Sequence, residues 1–167
     1  MLGAPSNPLL AKAEQAIQAK VPPQLMPMVQ RIVMAGQKVM YDPKTHAMMI
    51  KALSAPGDKA AIAGQSSSKL LGLLYTEAHG GITVQAAIPA GVILLCEGLD
   101  FMEKSRMIAV TQAVLADAMK NMMTSTLQMF GVTPQKLAQM RQGQPGVAPA
   151  AQPQRPAGII AGAQGAM

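Results

Sequence analysis

The sequence predicts an all-α protein: a bundle or a set of hairpins of about six to seven helices, followed by a low-complexity C-terminal tail. Three observations carry that expectation. Apolar residues recur at helical spacing nearly throughout, and strong period-two alternation is absent. Prolines follow capping residues at Asn7, Asp42 and Thr133, where the first turn of a helix accepts them. The apolar bulk is Ala, Leu, Ile, Val and 15 Met, with Tyr41, Tyr75, Phe101 and Phe130 as the only aromatic residues. Rigid rings usually anchor cores and ligand pockets, whereas small residues and adaptable thioethers suit helix-on-helix packing.

The elements follow in order. Residues 8–20, PLLAKAEQAIQAK, read as a first helix capped by Asn7, and VPPQ at 21–24 ends it. A second helix fits 24–41, with Pro27 tolerable in its first turn and Met28, Ile32, Val33, Val39 and Met40 mostly on one side. Asp42 caps a third over 43–54, and APGD at 55–58 is a turn. Asp58 opens a fourth helix that reaches His79. Its middle, GQSSSK at 64–69, is a poor helix former and predicts a kink or a loop. The His79-Gly80-Gly81 sequence closes it, since glycine supplies the left-handed conformation after a helix end. A fifth helix is expected over 83–103 and a sixth over 106–130, ended by Gly131. Thr133 and Pro134 start a short last helix, PQKLAQMRQ. The result is a helical domain over 1–142 and a Pro/Gly/Ala/Gln-rich tail over 143–167, whose composition forms no packed core alone.

The chain carries 14 basic and 8 acidic residues, a formal charge of +6. That balance favours anionic partners such as nucleic acid or a lipid surface. The lysines are scattered, from Lys12 and Lys20 to Lys59 and Lys69, and no aromatic residues interleave to stack on bases. They read as a solvated surface with weak, non-specific nucleic-acid contact as its extreme. Cys96 is the single cysteine, which excludes an intrachain disulfide and a cysteine metal cluster. The start, MLGAPSNPLLAKAEQ, lacks the basic-then-apolar order of a secretory signal, so synthesis in a reducing cytosol is expected.

No residue set names a reaction, and no catalytic, metal or cofactor site is assigned. His46, four residues after Asp42, reads as part of a surface pair at a helix start, and His79 as a helix-end residue. Cys96 sits in VILLCEGL beside Glu97, the setting of a buried, inert thiol. Glu97, Asp100 and Glu103 form a stripe that could meet a hard cation, but it reads better as a solvated face near Lys104 and Arg106. AGQSSSK lacks the glycine that precedes the lysine of a phosphate loop. Ser66 and Lys69, three apart, have no supporting constellation.

The stretch GGITVQAAIPAGVILLCEGLDFMEK, residues 80–104, holds the central question. A membrane span needs about 20 apolar residues. The run at 82–96 is shorter and contains Gln85 and Pro89. Ala87 and Gly91 form a small-xxx-small pair, with Gly98 seven residues on, and together they allow close backbone approach. Val92, Leu94 and Leu95 supply bulk. Ala87, Gly91, Val92, Leu94, Leu95 and Gly98 are therefore candidates for helix packing or for facing a membrane, with the central core helix of a bundle as the simpler reading. Met119, Met122, Met123 and Met129 give the sixth helix a methionine-rich face, suited to a core or to an adaptable interface.

The segment VPPQLMPMVQRIVMAGQKVMYDPKTHAMMIKAL, then IPAGVILLCEGLDFMEK, then the Gln, Pro and Gly tail, resembles small virion structural proteins of tailed bacteriophages. The nearest kind is the small internal, or ejection, protein of podophages. The resemblance spans residues 20–130 and rests on texture: Ala, Met and Gln richness, few aromatics and helix throughout. It implies a homo-oligomer among other virion proteins. Such a protein is made in the host cytoplasm, stored in the virion, and released to help form a conduit across the host envelope, with host-membrane contact. It transfers no catalytic residue. The alternative from the residues themselves is a soluble helical adaptor or assembly chaperone that binds a partner protein.

Overall fold

A computed structural model describes residues 5–133 and residue 135. Among the described residues the fold is all-helical, with six α-helices and no strand. The six helices belong to a compact unit that ends at Thr133. Apart from residue 135, the short helix expected from Pro134 and the tail from 143 lie outside the described residues.

Local chemistry sets most helix starts. α1 spans Pro8–Gln18, and the Asn7 side chain accepts the Leu9 N–H at 2.9 Å. α2 spans Met26–Tyr41, with Pro27 in its first turn and no side-chain cap. α3 spans Pro43–Leu53, and the Asp42 carboxylate accepts the Lys44 N–H at 2.8 Å. α4 spans Lys59–Glu77 behind Asp58, which accepts from the Ala60 and Ala61 amides. Such caps satisfy helix N–H groups that have no intrahelical partner. α5 spans Val84–Lys104 and α6 spans Gln112–Met129.

Two expectations are corrected. α4 runs unbroken through GQSSSK. The poor propensity there is offset by packing, because Ser67 Oγ donates to the Gly91 carbonyl of α5 at 2.9 Å and Ser68 Oγ turns back to the Gln65 carbonyl. The sixth helix starts at Gln112, not at 106. Residues 106–110 are a connection, and Thr111 accepts the Val114 N–H to cap α6. The reason lies at Arg106, whose φ of 58° is left-handed. Met107 N–H bonds to Met102 O and Arg106 N–H to Glu103 O, the pair of bonds that terminates a helix. His79 (φ 49°) ends α4 in the same way, and Gly131 (φ 63°) ends α6.

α5 is the axis of the unit and contacts α1, α2, α4 and α6. α4 packs along α6, and α3 lies against α2 and α4. Residues 90–96 of α5 are buried without a break, as in the core helix of a bundle. Leu94, Leu95 and Leu99 are each at most 2% exposed, and burial of each stabilises the fold by roughly 1.5–3 kcal/mol.

Candidate functional site

Three edges of α5 meet three different surroundings. The first is tight. A Cβ at Gly91 would lie 2.6 Å from Leu71 Cδ1 of α4 and 3.0 Å from Met122 Sδ of α6. On α4, a Cβ at Gly64 would collide with the Ala118 carbonyl oxygen and lie 2.9 Å from the Met122 amide nitrogen. The small residues thus bring α4, α5 and α6 together within one chain. Ala87, Val92, Leu94 and Leu95 are likewise buried in this chain.

The apolar run at 82–96 is by itself shorter than a span, but most of it lies within a longer helix. The helix continues through Leu99 and Met102 to Lys104, and its 21 residues are long and apolar enough to cross a membrane. Two thirds of its most apolar window is nevertheless buried by the rest of the chain (67%), as in the core helix of a bundle.

The methionine face of α6 divides. Met122 is fully buried beside Gly91 and accepts from Thr126 Oγ, and Met119 packs half-buried on the core. Met129 is exposed, yet its sulfur lies 2.8 Å from where a Gly72 Cβ would stand on α4. Met123 is exposed. Half of this face, Met119 and Met122, therefore packs within the fold, and Met123 and Met129 stand exposed.

The second edge is open. Gly98 is buried, yet a Cβ added to it would meet nothing within 4 Å. This corrects its place in the close-approach stripe: it floors a cavity of about 300 Å³. Leu94 and Leu95 complete the floor. Met48, Met49 and Ala52 of α3 form one wall, and Ser66, Leu70 and Leu73 of α4 form the other, with Val39 and Met40 of α2 beside them. Met48 is 66% exposed and Leu73 47%, so large apolar side chains stand at both rims. Among the described lining residues Lys69 is the single charged one. The volume is at the lower end for small-molecule sites, and the lining is apolar as such sites are. Periodicity did not single out Met48, Leu73 or Lys69, which lie off the buried stripes of their own helices.

The third edge carries carboxylates. Glu97 accepts from Gln37 Nε2 through one oxygen, while its Oε2 is buried with no hydrogen-bond partner. Burial pushes its pKa up against the Gln37 bond, and the Glu14 and Asp100 charges add to the rise. Asp100 shifts the other way. Burial would raise it, but hydrogen bonds from Lys104 (2.5 Å) and from Ser6 N (2.9 Å) and Oγ (2.7 Å) outweigh burial and hold it below the usual range. Glu103 accepts from Asn7 Nδ2 at 2.8 Å and from the Val110 amide at 3.0 Å. The stripe expected to be a solvated face is instead a set of ties, in which Glu97 holds α2, and Asp100 and Glu103 hold the N-terminal segment and the 106–110 connection.

The remaining candidates have structural surroundings. Cys96 is fully buried, and burial, then the Glu14 and Glu97 charges, push its thiol up to about 12. It stays protonated at neutral pH and is a poor nucleophile. His46 Nδ1 lies 2.9 Å from the Met40 carbonyl, and its ring sits between Tyr41 and Phe101. The expected pairing with Asp42 is made through the backbone: His46 N–H donates to the Asp42 carbonyl oxygen. Among the described residues, no group of three or more His, Cys, Asp and Glu side chains is placed to hold a metal ion. Comparison with known proteins finds no matching family model, no matching curated protein and no matching solved structure.

Proposed function

We propose that this chain is a structural assembly subunit that works by docking other protein surfaces rather than by catalysis. Its setting, by the resemblance of residues 20–130 and the tail, is the virion of a tailed bacteriophage, as an internal or ejection protein. There several copies, with other virion proteins, help form the genome-delivery conduit across the host envelope. Contact with nucleic acid is weak and non-specific, as a scattered charge of +6 permits.

The observation that supports docking is the open apolar groove over Leu94, Leu95 and Gly98, rimmed by exposed Met48 and Leu73. Apolar surface left open beside the core helix is where assembly partners bind. Flexible methionine walls adapt to a partner's shape.

Burial of the apolar window of α5 supports a second reading, in which the folded unit is a soluble adaptor or assembly chaperone. Light scattering in water and in detergent, with dye release from phospholipid vesicles, separates the two. The virion reading expects a defined oligomer in at least one solvent and vesicle leakage. A monomer in both, with intact vesicles, removes the conduit and leaves the adaptor.

A further inference from the structure

The groove also carries information about the chemistry of what it binds, given the docking reading above on which this step rests. We infer that its occupant is an amphipathic helix of a partner protein, apolar on one face and flanked by carboxylates.

Shape comes first. The groove runs between two helices, α3 and α4, over a third, and its walls end in Met48 and Leu73. A trough lined by helical side chains accepts a helix laid along it, with one or two apolar side chains directed downward. The floor has room for such a side chain at Gly98, where nothing lies within 4 Å of an added Cβ.

Charge then selects the flanks. Lys69 stands on the α4 wall. On α3, Lys44 and Lys51 lie four residues before and three after Met48, so they neighbour it on the helix surface. All three are exposed, and among the described residues none makes an ion pair. The chain itself is poorly equipped to complement them. All eight acidic residues of the sequence lie among the described residues, so residues 134–167 hold none. Asp42 and Asp58 cap helices, Glu14 accepts from Gln18, and Glu97, Asp100 and Glu103 are engaged on the opposite edge of α5, which leaves Glu77 and Asp117 exposed at the end of α4 and on α6. A second copy would bring another +6 to a basic rim. A partner with acidic flanks supplies what this chain has little of, and like-charged competitors are repelled.

A yeast-displayed library of short helices, randomised on one face and both flanks, tests this while the natural partner is still unidentified. Selection uses the full chain, with Gly98→Leu to fill the floor and Met48→Glu to alter the exposed rim without touching the core. The expected result is enrichment of Asp and Glu at the flanks of binders that both variants weaken at least tenfold. Lys69→Glu should weaken the same binders about fivefold or more and shift a repeat selection towards basic flanks. Groove-dependent binders with neutral or basic flanks would overturn the acidic inference and leave the docking reading standing. Binders indifferent to Gly98→Leu and Met48→Glu would overturn both. A dimer of the chain that Met48→Glu dissociates, and that no selected helix competes with, would replace the partner by a second copy.

Discussion

Gly91 and Gly98 lie two turns apart on one helix, and their surroundings are opposite. At Gly91 the missing side chain is filled from outside by Leu71 and Met122. At Gly98 it is not filled at all. The same residue type therefore makes a closed seam in one place and an open groove in the other. The difference comes from what α3, α4 and α6 present, not from α5. A glycine pattern identifies where backbones can approach. It does not identify whether they do.

The largest test of the closed seam is Gly64→Val. Its Cβ would press on the Ala118 carbonyl, and backbone cannot yield as a side-chain tip can. A cost of roughly 3 kcal/mol or more is expected from such overpacking, read as loss of the cooperative urea transition or of helical circular dichroism. A variant as stable as the parent would break the contrast at its tight end.

The carboxylate edge sharpens the comparison, because there polar ties replace packing. Asp100→Ala removes the acceptor of Ser6 N–H, Ser6 Oγ and Lys104, and should cost about 2 kcal/mol at pH 7. The pKa of Asp100 is depressed in the fold, so its contribution is present above the ordinary carboxylate value and lost as pH falls through the folded value. The penalty of Asp100→Ala should shrink in acid. Glu97 has the opposite sign. Its folded pKa is raised, so its ionisation works against the fold as pH rises through that value. Glu97→Gln should raise the urea midpoint above the folded pKa of Glu97 and lose this advantage as pH falls below the ordinary carboxylate value. Parallel pH profiles for the two variants would contradict the assignment.

Arg106→Gly addresses the helix end that delays the start of α6. A left-handed non-glycine residue costs about 1–2 kcal/mol, and part of that returns as chain entropy when glycine is introduced. A gain of roughly 0.5–1 kcal/mol is expected in urea unfolding.

These sites also show how much was legible in the sequence. The caps at Asn7, Asp42 and Asp58 and the stop at Gly131 follow from residues that bond or bend locally, and their helices were placed within a few residues. Arg106 carries no such signal. Its left-handed backbone stands beside the tie of Glu103 to Val110 and the buried Met102, which are tertiary facts. GQSSSK misled for the same reason, since propensity is weak against a close helix contact. The small residues of α5 were legible as packing residues, but the split between Gly91 and Gly98 was not. Nor was the groove, because Met48, Lys69 and Leu73 come from two helices and meet only in the fold.

The most direct test of the contrast is the urea-unfolding free energy of Gly91→Leu beside that of Gly98→Leu. Leucine at 91 must displace Leu71 and Met122, and a loss of roughly 3 kcal/mol is expected. Leucine at 98 enters open space and gains roughly 1 kcal/mol of helix propensity, so its stability should equal or exceed the parent's. Equal losses at the two positions would mean that the groove is closed in solution, and the docking surface proposed for this chain would not exist.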